Sequence, residues 1–169
     1  MSLLPGMELF TPKVHEDERG SFFEVWRASD FDVHFVQANQ SGSRRGVLRG
    51  LHYQLEKPQG KLVRVPVGTI WDVAVDLRRS SPHFGRAVGM TLSAENRQAL
   101  WIPPGFAHGF LVLSDWAEVT YLVTEPWHPA GERVLAWNAV DVAWPLEGEP
   151  LLSARDAAAP GWDEAEVYP

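Results

Sequence analysis

The chain has 169 residues, 45% of them hydrophobic, with eight Trp and eight Phe. That is enough apolar material for one self-sufficient core and too much for a disordered chain. It contains no cysteine, which excludes disulfides, thiolate metal sites and a cysteine nucleophile. The formal net charge of -7 opposes non-specific attraction to nucleic acid or to an anionic membrane surface, so neither is an expected partner. The opening MSLLPGMELF has no basic n-region and no later run is long and apolar enough to span a bilayer; a cytoplasmic protein is expected.

In chain order, short β-branched and aromatic runs broken by Pro, Gly, Asn and Asp predict strands at Ser21–Trp26, Leu48–Tyr53, Lys61–Val67, Ile70–Leu77, Ala87–Leu92, Gln98–Ile102, Phe110–Leu113 and Ala117–Thr124. Helical periodicity is scarce and there is no βαβ alternation, so an all-β antiparallel barrel of the jelly-roll kind is expected, with a few short helical turns. Nothing marks an internal repeat or linker, and one domain over 1–169 follows. From about residue 147 the chain reads as a tail of loop and short helix. Period two places Trp71, Val73, Val75 and Leu77 on one face of their strand, with Asp72, Ala74 and Asp76 on the other. The same rule points Tyr121 inward with Ala117, Val119 and Val123.

Charge is uneven along this acidic chain. Arg44, Arg45, Arg49, Lys57, Lys61 and Arg64 fall within 21 positions that hold Glu56 as the one acid. Such a cluster suits a compact anion such as a diphosphate, and equally a solvated basic loop. Within it, Gly46 to Gln54 places His52 three residues after Arg49. On a regular strand the two would face opposite sides, so a shared site requires Gly50 to mark a bulge. Taken alone, His52 reads more readily as a structural histidine than as a base.

Trp101 to Phe110 reads as strand, Pro104-Gly105 turn of type II, then strand. Its P-x-G-x-x-H order, ending at His108, resembles half of the metal-binding pattern of cupins. The other half needs a paired H-x-H, and His52-Tyr53-Gln54 supplies one histidine of the two. No metal site is expected.

Taken together, Asp17 to Glu24, Gly46 to Gln54, Gln59 to Val63, Asp72 to Arg78, Ile102 to Phe110 and Ser153 to Asp156 resemble the dTDP-4-dehydrorhamnose 3,5-epimerase family, in order from about residue 8 to residue 156. The resemblance implies a cofactor-free, cupin-like jelly roll that moves protons on the carbons flanking a C4 ketone. It implies His52 as base, Tyr121 as proton donor and Lys61 as the cation beside the developing oxyanion. It implies Asp156 as the carboxylate orienting His52, although Ser153 to Asp156 also spells an S-x-x-D box opening a helical turn; Asp72 and Asp76 are rival partners. Substrate contacts are implied at Arg19, Glu24, Gln37, Asn39, Arg49, Lys61, His108, Trp127, Glu132 and Arg155.

Alone, several of these residues have plainer readings: Arg19-Gly20 a hairpin turn, Tyr121 a core tyrosine, Lys61 a surface strand lysine. The family also implies a homodimer whose N-terminal strands carry Arg19 and Glu24 into the neighbour's pocket. Two positions depart from the family pattern. Trp127 stands where a second tyrosine is usual, and its N–H donates without comparable acidity. Arg155 stands where a lysine is usual, keeping charge and changing geometry. The expected reaction is epimerisation at C3 and C5 of dTDP-4-dehydro-6-deoxy-D-glucose. The competing readings are a mono-epimerase or ketoisomerase on a related dTDP-sugar, a metal-dependent cupin enzyme, and a non-catalytic sugar-nucleotide binding barrel.

Overall fold

The structure is a computed structural model that describes residues 2–169. Its strands are β1 (Glu8–Phe10), β2 (Val14–Asp17), β3 (Gly20–Phe23), β4 (Gln37–Arg44), β5 (Leu48–Gln54), β6 (Lys61–Val67), β7 (Thr69–Asp76), β8 (Ala87–Ser93), β9 (Ala99–Ile102), β10 (Phe106–Val112), β11 (Trp116–Val123) and β12 (Glu132–Val134), followed by a helical turn α1 (Ala154–Ala157). Two antiparallel five-stranded sheets form, in the orders β1-β9-β6-β11-β4 and β12-β5-β10-β7-β8, with β2-β3 as a separate hairpin. From β4 to β12 almost every connection switches sheets, β7 to β8 being the one that stays. This is the jelly-roll all-β fold expected from the strand pattern, cupin-like as the family resemblance implies.

The main core lies between the sheets. Val63, Val65, Leu100, Ile102, Ala117 and Val119 from one sheet meet Ile70, Ala74, Val88, Leu92, Phe106 and Phe110 from the other, alternate residues of each strand pointing inward. Tyr121 packs against this cluster, as the alternation predicts.

The second sheet is buried on both faces, which its sequence does not announce. Val73, Val75 and Leu77 pack under the C-terminal tail, against Leu135, Val140 and Tyr168, with Trp71 and Trp162 at the margin. Their opposite face is closed as well, so Asp72 and Asp76 are fully buried. The tail is therefore a structural layer as well as loop and turn. Tyr168 runs beside Arg78, donating its main-chain N–H to Leu77 O and accepting from Arg79 N.

Several strands differ from expectation. β10 begins at Phe106, four residues before the apolar run that suggested it, because Gly105, at φ +96°, completes the turn and returns the chain at once to extended geometry. β3 ends at Phe23, short of Trp26. β4, with the sequence QANQSGSR, lacks the usual strand composition. It forms because the whole of it pairs with β11 along the sheet edge, from Arg44 opposite Trp116 to Gln37 opposite Val123. The short strands β1 and β12 likewise owe their order to partners distant in sequence, β9 and β5. Among the described residues no helix is long and apolar enough to cross a membrane.

Candidate active site

The site is built on the end of β5. Between Arg49 and His52 this strand carries one residue more than β10 opposite it, since His52 pairs with His108 and Arg49 with Phe110. Gly50 sits in the irregularity at φ +112°, with the Gly50–Leu51 peptide cis. A Cβ there would meet His108 O at 2.7 Å and Gly109 Cα at 2.8 Å, so the bulge needs glycine. Arg49, whose Nε donates to Ser43 Oγ at 3.0 Å, lies close enough to Tyr121 for its charge to act on the phenol.

A cavity of about 310 Å³ opens beside His52, with Lys61, Tyr121, Trp127 and Glu132 in its wall and Gln37 and Asn39 contributed by β4. A larger one, about 460 Å³, lies on the outer face of the first sheet among Phe10, Trp26, Phe31 and Arg64. It holds none of His52, Lys61 or Tyr121. The smaller cavity is the one with base, phenol and ammonium on a common surface.

His52 Nε2 lies 2.6 Å from Asp156 Oδ1. The carboxylate only accepts, so the proton on this axis sits on Nε2, and in the neutral imidazole Nδ1 carries the free lone pair. Asp156 is 5% exposed, and burial by itself raises its pKa. The hydrogen bond and charge of His52 outweigh that, with help from Ser153 and from Gly50 N–H at 3.5 Å, and hold the carboxyl below its ordinary value. The choice among three aspartates is thereby made. Asp72 Oδ2 accepts from His108 Nε2 at 2.8 Å, while Asp76 holds Arg78 at 2.8–3.0 Å and Ser81 Oγ at 2.6 Å. Ser153 Oγ also accepts from Asp156 N at 3.0 Å. Both readings of the S-x-x-D box are true at once, the serine capping the turn and the carboxylate turning to the histidine.

Lys61 is 8% exposed and donates to His52 O at 3.3 Å. Burial pushes its pKa down to about 8, against the opposing charges of Asp72 and Glu132; it remains mostly protonated at pH 7. Burial raises the Tyr121 phenol above its ordinary value, with Arg49 opposing and Glu132 adding, so it keeps its proton near neutrality. At the cavity mouth Glu132 Oε2 accepts from Arg155 Nη1 at 2.5 Å and from Trp127 Nε1 at 3.2 Å. Those bonds and the Arg155 charge overcome its burial and lower its pKa.

Not every expected residue is here. His108 is 6% exposed, spent on Asp72, and does not line the cavity. Arg19 sits on the β2–β3 hairpin, exposed and paired with Asp17 at 2.5 Å. Glu24 pairs with Arg27 and faces the larger cavity. The basic cluster is dispersed rather than gathered. Arg45 pairs with Asp115 at the surface and Arg64 lies over the Phe23 ring on the outer face, because Lys61 and Arg64 are three apart on one strand. Gln54 and Gln59, which line the cavity, were not expected. Both stand inside motifs already singled out, and carry no charge that would mark them. Among the described residues no group of three His, Cys, Asp or Glu side chains could hold a metal ion.

Known proteins resemble this chain in sequence and in fold. A relative from Neisseria gonorrhoeae described as dTDP-4-dehydrorhamnose 3,5-epimerase is 54% identical over 96% of this chain, which spans 52% of that protein's length. One of the same description from Pseudomonas aeruginosa is 50% identical over 98% of this chain and 96% of its own. The crystal structure of a dTDP-6-deoxy-D-glucose-3,5-epimerase from Legionella pneumophila, in complex with dTDP-4-keto-L-rhamnose, superposes with a TM-score of 0.94 at 43% identity, covering 98% of this chain and 92% of that one. The family model described as dTDP-4-dehydrorhamnose 3,5-epimerase matches residues 2–164, and the chain belongs to that family.

Proposed function

We propose that the His52 cavity epimerises C3 and C5 of dTDP-4-dehydro-6-deoxy-D-glucose, giving dTDP-4-dehydro-L-rhamnose. The observation that carries this reading is one wall holding an imidazole backed by a buried carboxylate, a protonated phenol and a buried ammonium. His52 Nδ1 removes the proton from the carbon beside the C4 ketone, and the electron pair moves to the ketone oxygen as an enolate. Lys61 offers that oxygen a fixed cation in a place of low dielectric, where it favours the enolate over the neutral ketone. Tyr121 then returns a proton to carbon from the opposite face, and solvent resets both groups. Repetition at the second carbon completes the double epimerisation. The chemistry calls for no cofactor and no metal.

Arg49 supplies a guanidinium for the diphosphate, while Gln37, Asn39, Trp127, Glu132 and Arg155 bind the sugar and line its approach. Arg19 and Glu24 lie outside the cavity of their own chain, and their role is in a neighbour's pocket within a homodimer. The enzyme works as one domain in the cytoplasm. A second reading, a mono-epimerase, draws on Trp127: its N–H is engaged with Glu132, so that position has no acid to lend a second centre.

Proton NMR of the keto-sugar nucleotide in heavy water tests both. Loss of the C3 and C5 signals together is the expected result. Loss of one establishes the mono-epimerase, and loss of neither removes the reading. His52→Ala is expected to abolish exchange while leaving nucleotide binding nearly intact.

A further inference from the structure

Trp127 is 58% exposed, yet the chain around it is held at every residue by side chains from elsewhere. Gln59 Nε2 donates to Glu125 O at 2.7 Å. Gln54 Nε2 donates to Pro126 O at 3.3 Å, and its Oε1 accepts from His128 N at 2.8 Å. Gln37 Oε1 accepts from Trp127 N at 3.1 Å. The indole itself is tied to Glu132.

Gln54 is the centre of this arrangement. It is 2% exposed and its second N–H goes to Lys57 O at 2.9 Å. Both carbonyls can only accept and the His128 N–H can only donate, so the amide has a single workable orientation. Its main-chain oxygen accepts from Tyr168 OH at 2.5 Å, which fixes the residue from the side of the tail. Gln54 thus grips the main chain immediately before and after Trp127, two residues along β5 from His52.

We infer that Gln54, assisted by Gln59, is a positioning residue that holds Trp127 as a preformed wall of the substrate cavity. This rests on the reading of the cavity as the keto-sugar site. The loop at 125–128 does not close over substrate; its path is set before binding, and the sugar meets an indole whose ordering cost is already met by the fold. Binding of the sugar nucleotide, more than the proton transfers at His52, depends on the two glutamines.

The test is a double-mutant cycle. Gln54→Met keeps length and removes every side-chain bond; Gln59→Ala frees Glu125 O without disturbing a buried residue. Each is made in the wild-type chain and in Trp127→Ala, and KM and kcat are measured. Gln54→Met is expected to raise KM about tenfold with a smaller change in kcat. In the Trp127→Ala background it is expected to add almost nothing, because its effect passes through the indole. Effects that multiply in the double variant overturn the inference, since a merely structural loss is independent of Trp127. Should Gln54→Met not fold, the Gln59→Ala cycle decides in the same way. Amide hydrogen exchange at Trp127 and His128 separates this inference from the functional one. Faster exchange at His128 in Gln54→Met, or at Trp127 in Gln59→Ala, supports the grip whatever the substrate, and protection equal to wild type in both overturns it. A wild type that labels neither C3 nor C5 removes the reading of the reaction instead.

Discussion

Asp156 Oδ1 accepts a hydrogen bond from His52 Nε2 at 2.6 Å across 104 residues of chain, while the Asp156 main-chain N–H is itself held by Ser153 Oγ at 3.0 Å. One short helical turn therefore fixes both the tautomer of the base and the carboxylate that fixes it. The turn is linked to the cavity mouth too, because the adjacent Arg155 reaches Glu132.

Replacing the carboxylate by an amide keeps its shape and loses its charge. Asp156→Asn is expected to lower kcat by about 10²–10⁴-fold, since an amide can present its NH₂ to His52 and leave the wrong nitrogen protonated. The folded pKa of Asp156 is depressed, so its contribution to stability is complete above the unfolded carboxyl value and is lost as pH falls through the folded one. Thermal unfolding of wild type and Asp156→Asn should differ near neutrality and converge in acid.

Lys61 trades stability for chemistry. Its pKa is about 8 in the fold against an ordinary value of 10.5, so between those values the unfolded chain holds a proton that the folded one has released, and stability rises with pH. At pH 7 the buried charge costs stability. Lys61→Met is expected to raise the unfolding midpoint at pH 7, by an amount that shrinks as pH rises toward 10.5, and to lower kcat/KM by about 10²–10³-fold. In the wild type kcat/KM should fall as pH rises past about 8. A limb that persists unchanged in Lys61→Met would assign it to another group; Tyr121, with its pKa raised, titrates higher.

Tyr121 acts after the enolate exists. Tyr121→Phe removes the donor and leaves the base and the ammonium in place, so loss of the substrate proton should continue while epimerised product falls by about 10²–10⁴-fold. Deuterium incorporation measured beside product formation separates the two; equal losses in both would assign Tyr121 to an earlier step.

The bulge at Gly50 sets where His52 points. Gly50→Ala would place a Cβ 2.7 Å from His108 O in backbone at φ +112°, at a cost of about 1–3 kcal/mol in backbone strain before any clash is relieved. The expected result is a lower unfolding midpoint with a larger fractional loss of kcat than of dTDP binding, checked by calorimetry and steady-state kinetics.

Local chemistry carries a good part of this protein. Strands such as Lys61–Val67 follow from β-branched composition alone. The need for a bulge at Gly50 follows from Arg49 and His52 being three apart, and the inward aim of Tyr121 from period two. Motif order pointed to the family and to the group of base, donor and cation. Tertiary structure decided the rest, because period two says which side chains share a face and nothing about what covers it. The same rule that paired Asp72 with Asp76 could not tell that both would be buried and spent, on His108 and Arg78, leaving His52 to a residue 104 positions away. It could not gather β4, whose polar sequence becomes a strand through the ladder of β11. Nor could it say that Arg64 and Arg45 would leave the basic cluster for other faces. Uncharged side chains were the least legible: Gln54 has no propensity or charge to mark it, and only the folding of three segments around its amide shows what it holds.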